Sequence, residues 1–112
     1  MNSRELAILA ATTMDNKKAE DLLVLHIEEK ASFADYFVLA SGKSERQIGA
    51  LADDVQDAYA KEGVIAKSIE GKKESGWILM DYGDVIVNVL TEEMRSRYNI
   101  EKVWADCEVI KE

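Results

Sequence analysis

The sequence predicts an α+β domain built around a mixed five-stranded sheet. Segments with helical and with strand periodicity follow one another in the order α-β-β-α-β-β-β-α. Two strong apolar runs, Trp77–Asp81 and Val85–Leu90, flank Tyr82-Gly83-Asp84, a hairpin signal. The chain has 112 residues and 47% hydrophobic content, which suits one core and a single domain over residues 1–112.

Each element has its own local reason. Asn2 with Glu5 forms a capping-box pattern ahead of Leu6, Leu9, Ala10 and Met14, so a helix is expected over residues 3–16. Asp21 opens the run Leu22 to Ile27, apolar on both faces and therefore an interior strand. Glu28 to Ala34 reads as a loop, and Asp35 to Ala40 as a strand rich in aromatic and β-branched residues. Ser41-Gly42 turns the chain into a long helix from about Ser44 to Glu62. Ser44 is its cap, Gln47 holds the capping-box position and Gly63 is its stop. Its buried stripe is Ile48, Leu51, Ala52, Val55, Ala58 and Tyr59. Val64 to Glu70 alternates weakly as a strand, and Gly71 to Gly76 is a charged turn. Thr91 caps a short helix whose first turn carries two glutamates, where the helix dipole favours them. Ile100 to Trp104 reads as a last helical turn, and the tail beyond it carries no assignment.

Composition narrows the function classes. Twenty-two acidic residues against fourteen basic ones give a net charge of −8. Nucleic-acid affinity is mostly phosphate neutralisation, so an acidic domain is a poor autonomous binder of RNA or DNA. The same surface suits a basic protein partner, with plain solubility as the alternative. No apolar run approaches the roughly 18 residues of a membrane span. The opening segment reads as an amphipathic helix and not as a signal peptide. A lone cysteine, Cys107, points to a reducing cytoplasm, and a lone histidine, His26, leaves no His-rich metal site. Within its apolar strand, His26 is expected to be a hydrogen-bonded core histidine.

The segment DYFVLASGKSERQIG, residues 35–49, imitates a phosphate-binding loop. A true loop of that kind has a glycine five positions before its Gly-Lys-Ser, and Phe37 stands there. A bulky side chain forfeits the backbone freedom that the anion nest requires. Asp81 and Asp84 bracket the hairpin tip without a third ligand, so backbone hydrogen bonding is favoured over metal binding. Cys107 lacks an obvious base, and Ser41 and Ser44 lack the glycine framing of a nucleophile elbow. No acid–base constellation assembles, no cofactor or metal is expected, and the balance favours a binding protein.

Four blocks then carry a resemblance: DYFVLASGKSERQIGALAD, Glu70-Gly71, GWILMDYGDVIVNVL and EEMRSRYNIEKVWAD. In this order and spacing they resemble the ribosomal silencing factor family, RsfS or Iojap, over about Ser3 to Asp106. The resemblance implies a non-catalytic factor that binds a conserved, basic large-subunit ribosomal protein, number fourteen. It would thereby block subunit joining and lower translation when nutrients are short. Organellar relatives imply an alternative role in large-subunit assembly, and a homodimer stays open. The implied fold is nucleotidyltransferase-like without the catalytic carboxylates. Members commonly carry Asp at the position of His26, His at that of Asn88, and Phe at that of Leu90. The first two replacements are linked if their strands are neighbours.

A steric blocker needs interface anchors more than reactive groups. Trp77, Leu79 and Asp81 project from one face of their strand, and Ile78, Met80 and Tyr82 from the other. Trp77 is the expected hydrophobic anchor, or else part of the core. Asp81 is the expected partner of a basic side chain. Tyr82, Arg95 and Tyr98 are further candidates from the matching motifs, with Arg95 alternatively bracing the hairpin through a carboxylate.

Overall fold

The computed structural model describes residues 1–110. Three helices, α1 (Ser3–Asn16), α2 (Glu45–Lys61) and α3 (Glu92–Tyr98), accompany six strands: β1 (Glu20–His26), β2 (Tyr36–Gly42), β3 (Ser68–Glu70), β4 (Trp77–Asp81), β5 (Val85–Thr91) and β6 (Glu108–Val109). They form one mixed sheet in the order β3-β4-β5-β2-β1-β6. Every neighbouring pair is antiparallel except the central one, β2 with β5. The sheet therefore has six strands and not five. The extra strand is two residues long, with Val109 opposite Leu25, and a segment so short leaves no periodic signal.

The helix signals are realised as local chemistry. Asn2 and Glu5 form the reciprocal capping box of α1. Ser44 Oγ accepts from the Gln47 amide at 3.0 Å, but the Gln47 side chain accepts from Lys43 instead of closing the box on Ser44. β2 runs straight through Gly42, so the turn into α2 lies at Lys43-Ser44, later than expected. Only Ser68–Glu70 of the expected Val64–Glu70 strand joins the sheet, and Ile65 is 78% exposed.

α1 and α2 cover one sheet face. Ala7, Ala10 and Met14 meet Ile48, Leu51, Val55 and Tyr59 over Val38, Ala40, Met80, Val87 and Val89. The opposite face holds a second cluster, Leu25, Ile27, Phe37, Leu39 and Ile86, roofed by Ile100 and Trp104 from a short 3-10 segment after α3. β2 is the shared spine: Val38 and Ala40 serve the first cluster, Phe37 and Leu39 the second, and all its residues are buried. Period-two alternation on a doubly covered strand explains why its sequence is apolar almost throughout.

His26 departs from its expected core position. It lies near the sheet's margin with its side chain 29% exposed, its ring stacked on Tyr36 at 4.7 Å. Its nitrogens meet Glu28 at 3.1 Å and Glu108 at 3.4 Å. It is the last residue of β1, after the buried Val24 and Leu25, and only the two-residue β6 lies outside it there. Nor are His26 and Asn88 on neighbouring strands. β2 separates β1 from β5, and the two side chains take opposite sheet faces.

Candidate functional site

The β4–β5 hairpin sets the site. Antiparallel register places Trp77 opposite Leu90, Leu79 opposite Asn88 and Asp81 opposite Ile86. Ile78, Met80 and Tyr82 join the helix-side cluster, while Leu79 packs with the opposite one. Trp77 and Leu79 thus share the face that α1 and α2 leave uncovered. There they line an apolar depression of about 390 Å³ with Glu70, Gly71, Ser75 and Met94.

Each wall has a structural cause. Gly71 sits at φ +81°, and a Cβ there would lie 2.1 Å from the Trp77 carbonyl oxygen, so only glycine lets the Lys72–Gly76 turn close over β4. Thr91 Oγ1 accepts from the Met94 amide at 3.3 Å and fixes the phase of α3. Met94 and Tyr98, one helical turn apart, then share a side of α3. The Tyr98 ring, 52% exposed, meets the Trp77 indole at 5.5 Å with a 45° tilt. Trp77 Nε1 donates to Asn88 Oδ1 at 2.9 Å. Trp77 is half-buried, so it lies neither in the helix-side core nor free in solvent.

The remaining sequence candidates separate from this depression. Asp81 accepts from the Gly83 amide at 2.8 Å, the turn chemistry expected of Asp-x-Gly-Asp, and stays partly exposed at the hairpin end. Tyr82 faces the helices, its ring 4.4 Å from that of Tyr59. Arg95 is 6% exposed and points inward: Nη1 donates to Ser41 Oγ at 3.0 Å and Nε to Glu101 Oε2 at 3.1 Å. Its bonds join α3 to β2 through the Ser41 hydroxyl and to the 3-10 segment through the Glu101 carboxylate, and among the described residues none goes to the hairpin. Trp77, Leu79 and Tyr98 are brought together. Asp81 lies farther along the same strand face, Tyr82 lies on the other face, and Arg95 lies beneath. Met94 is a wall residue absent from the sequence candidates, and Gly71, part of the Glu70-Gly71 block, is a second wall. The four-residue interval from Met94 to Tyr98 was the available signal for the former.

A second crevice lies where the carboxyl ends of parallel β2 and β5 feed α2 and α3, the usual ligand position in sheets containing such a pair. Lys43, Ser44, Thr91, Glu45, Glu92 and Glu93 line it. The caps Ser44 and Thr91 each already accept a backbone amide, and glutamates occupy both first turns. Lys43 Nζ pairs with Glu20 at 3.3 Å. Glu92 is held above the usual carboxylate range by neighbouring Glu20, and Glu20 below it by Glu92 and then Lys43. The glutamates in both first turns, with Lys43 already paired to Glu20, make this crevice unfavourable for phosphate. Among the described residues, no group of three or more His, Cys, Asp or Glu side chains is placed to hold a metal ion.

A small α+β module with one exposed apolar depression and an acidic crevice is the class defined by fold and site. The family model "Ribosomal silencing factor during starvation" matches residues 1–112. The chain is 41% identical over 107 residues to the ribosomal silencing factor RsfS of Bacillus subtilis, covering 96% of this chain and 91% of that protein. A crystal structure of a Chromobacterium violaceum protein superposes with a TM-score of 0.90 at 33% identity, over 94% of this chain and 88% of that one. A Bacillus halodurans structure gives 0.85 at 33% identity, over 98% and 100%. The chain belongs to the ribosomal silencing factor family, RsfS/Iojap.

Proposed function

We propose that this protein docks through the Trp77–Leu79–Tyr98 face onto a basic protein of the large ribosomal subunit, number fourteen, and keeps the small subunit from joining. The observation that carries the reading is the exposed apolar face on an acidic domain of a silencing family. Around it, Met94 and Tyr98 supply an adaptable and an aromatic contact, and Glu70 and Asp81 supply negative charge. That composition matches the apolar centre and polar rim of a protein interface. Occupancy is enough for the effect: a body on the joining surface denies that space to the other subunit.

The reading is non-catalytic and cytoplasmic. Its support is the second crevice, at the carboxyl ends of the parallel pair, where sheets of this kind usually hold a ligand. Carboxylates line that crevice, its lysine is engaged by Glu20, and Phe37 stands where a phosphate loop needs glycine. Among the described residues, no helix is long and apolar enough to cross a membrane.

The test mixes purified subunits with excess protein and resolves them on sucrose gradients. Complete ribosomes should fall, and the protein should travel with the large subunit and crosslink to a basic ribosomal protein. Unchanged joining at saturating occupancy would overturn the steric mechanism.

A further inference from the structure

Asn88 sits at the centre of β5 with 0% of its surface exposed, opposite Leu79 on one side and Leu39 on the other. A buried primary amide among apolar neighbours costs free energy unless its ends are bonded. Here its Oδ1 accepts from the Trp77 indole at 2.9 Å, while Nδ2 has no partner among the described residues. Leucine shares its branched shape without the polar ends, and the apolar neighbours would suit those ends at least as well, although two methyl groups take more room than an amide. The amide therefore makes poor sense as core filling and good sense as an acceptor for one particular indole. The same indole also meets the Tyr98 ring at 5.5 Å. One bond from within the sheet and one ring from α3 thus define the orientation of Trp77.

We propose that Asn88 is a positioning residue for docking: it holds the Trp77 indole ready for the ribosomal partner, so that association does not have to order it. The proposal rests on the docking face described above and adds a buried residue that touches no partner. An ordered anchor avoids the cost of immobilising a large side chain at the moment of binding.

The protein has two tryptophans, Trp77 and Trp104, so its two indole N–H resonances report separately. In Asn88→Leu, the Trp77 resonance should move while that of Trp104 stays. Melting should shift by only a few degrees, because loss of the unbonded amide end offsets the larger leucine and the indole N–H left without its acceptor. Affinity for purified large subunits should nevertheless fall about three- to tenfold, the range of one neutral hydrogen bond. In a Trp77→Phe background, Asn88→Leu should cause no further loss, because the indole donor is already gone. Stability and affinity moving apart is the signature of positioning, since a merely structural residue moves them together. Asn88→Ser, whose hydroxyl falls short of the indole, serves as a second acceptor-less variant and should weaken binding similarly. Wild-type affinity in a folded Asn88→Leu or Asn88→Ser variant would overturn the proposal alone. So would an equal loss in the Phe background. No binding by the wild type would overturn the docking reading and this proposal with it.

Discussion

Trp77 and Arg95 stand within the same hairpin-and-helix unit, yet they occupy opposite sides of an energetic divide. Trp77 is only half-buried, so Trp77→Ala should cost about 1–2 kcal/mol of stability, below the cost of a core aromatic. Its cost to large-subunit binding should be at least about 2 kcal/mol, measured with melting on the same preparation. A folded variant with wild-type affinity would remove Trp77 from the interface. Arg95 is the reverse case. Arg95→Ala strands the partly buried Glu101 and should cost about 2–3 kcal/mol of stability, less than a fully buried pair because Glu101 keeps 29% exposure. Equal denaturation midpoints for variant and wild type would refute that assignment. The alternation placing Trp77 and Leu79 on one face was legible, because strand geometry maps sequence directly onto direction. The inward turn of Arg95 was not, because its partner Ser41 lies 54 residues away and only the assembled sheet brings them together.

At the level of elements, α1, α2, β4, β5 and the cap of α3 were legible because each has a local cause: a cap, a stop, an apolar period. The edges were not. β3 keeps three residues and β6 two, and pairing with a neighbour, not intrinsic pattern, makes them strands. β6 carries a pH dependence of its own. His26 stands opposite Glu108 in the ladder, with Glu28 on its other nitrogen and Tyr36 against its ring. Glu28 and then Glu108 raise the imidazole's pKa above its usual value, outweighing slight burial. The protonated ring's contribution is therefore full below about 6.5, the unfolded value, and is lost as pH rises through the higher folded value. The Ile110 amide, bonded to the Val24 carbonyl at 2.8 Å, reports the attachment of this strand. Its exchange protection, corrected for the intrinsic rate, should fall as pH rises through that window, and His26→Gln should flatten the profile. A flat wild-type profile would show that the carboxylates do not hold β6 through His26.

The molecule as a whole is a sheet with one face fully covered by helices and the other only partly roofed. The topology explains that asymmetry: α1 and the β2–α2 crossover pack on one side, leaving α3 and the Ile100–Trp104 segment to cover the other. The uncovered remainder is the Trp77 face, and it belongs to a chain of net charge −8. A field of that sign accelerates encounter with a basic partner and is screened over about 10 Å at 0.1 M salt. Association with the large subunit should therefore slow as ionic strength rises, while dissociation, governed by the apolar contact, should change little. Asp81 is the informative probe because it lies on the same face of β4 as Trp77 and Leu79, the proposed docking face, and its carboxylate also holds the hairpin turn. Asp81→Asn keeps the oxygen that accepts from Gly83 and removes only the charge. It should lower the association rate and reduce its salt dependence with melting unchanged. Asp81→Lys should enlarge both kinetic effects, at some cost to the turn. If the rates of wild type and Asp81→Asn depended on salt identically, Asp81 would lie outside the field that steers docking. The apolar depression around Trp77 would then have to account for recognition without it.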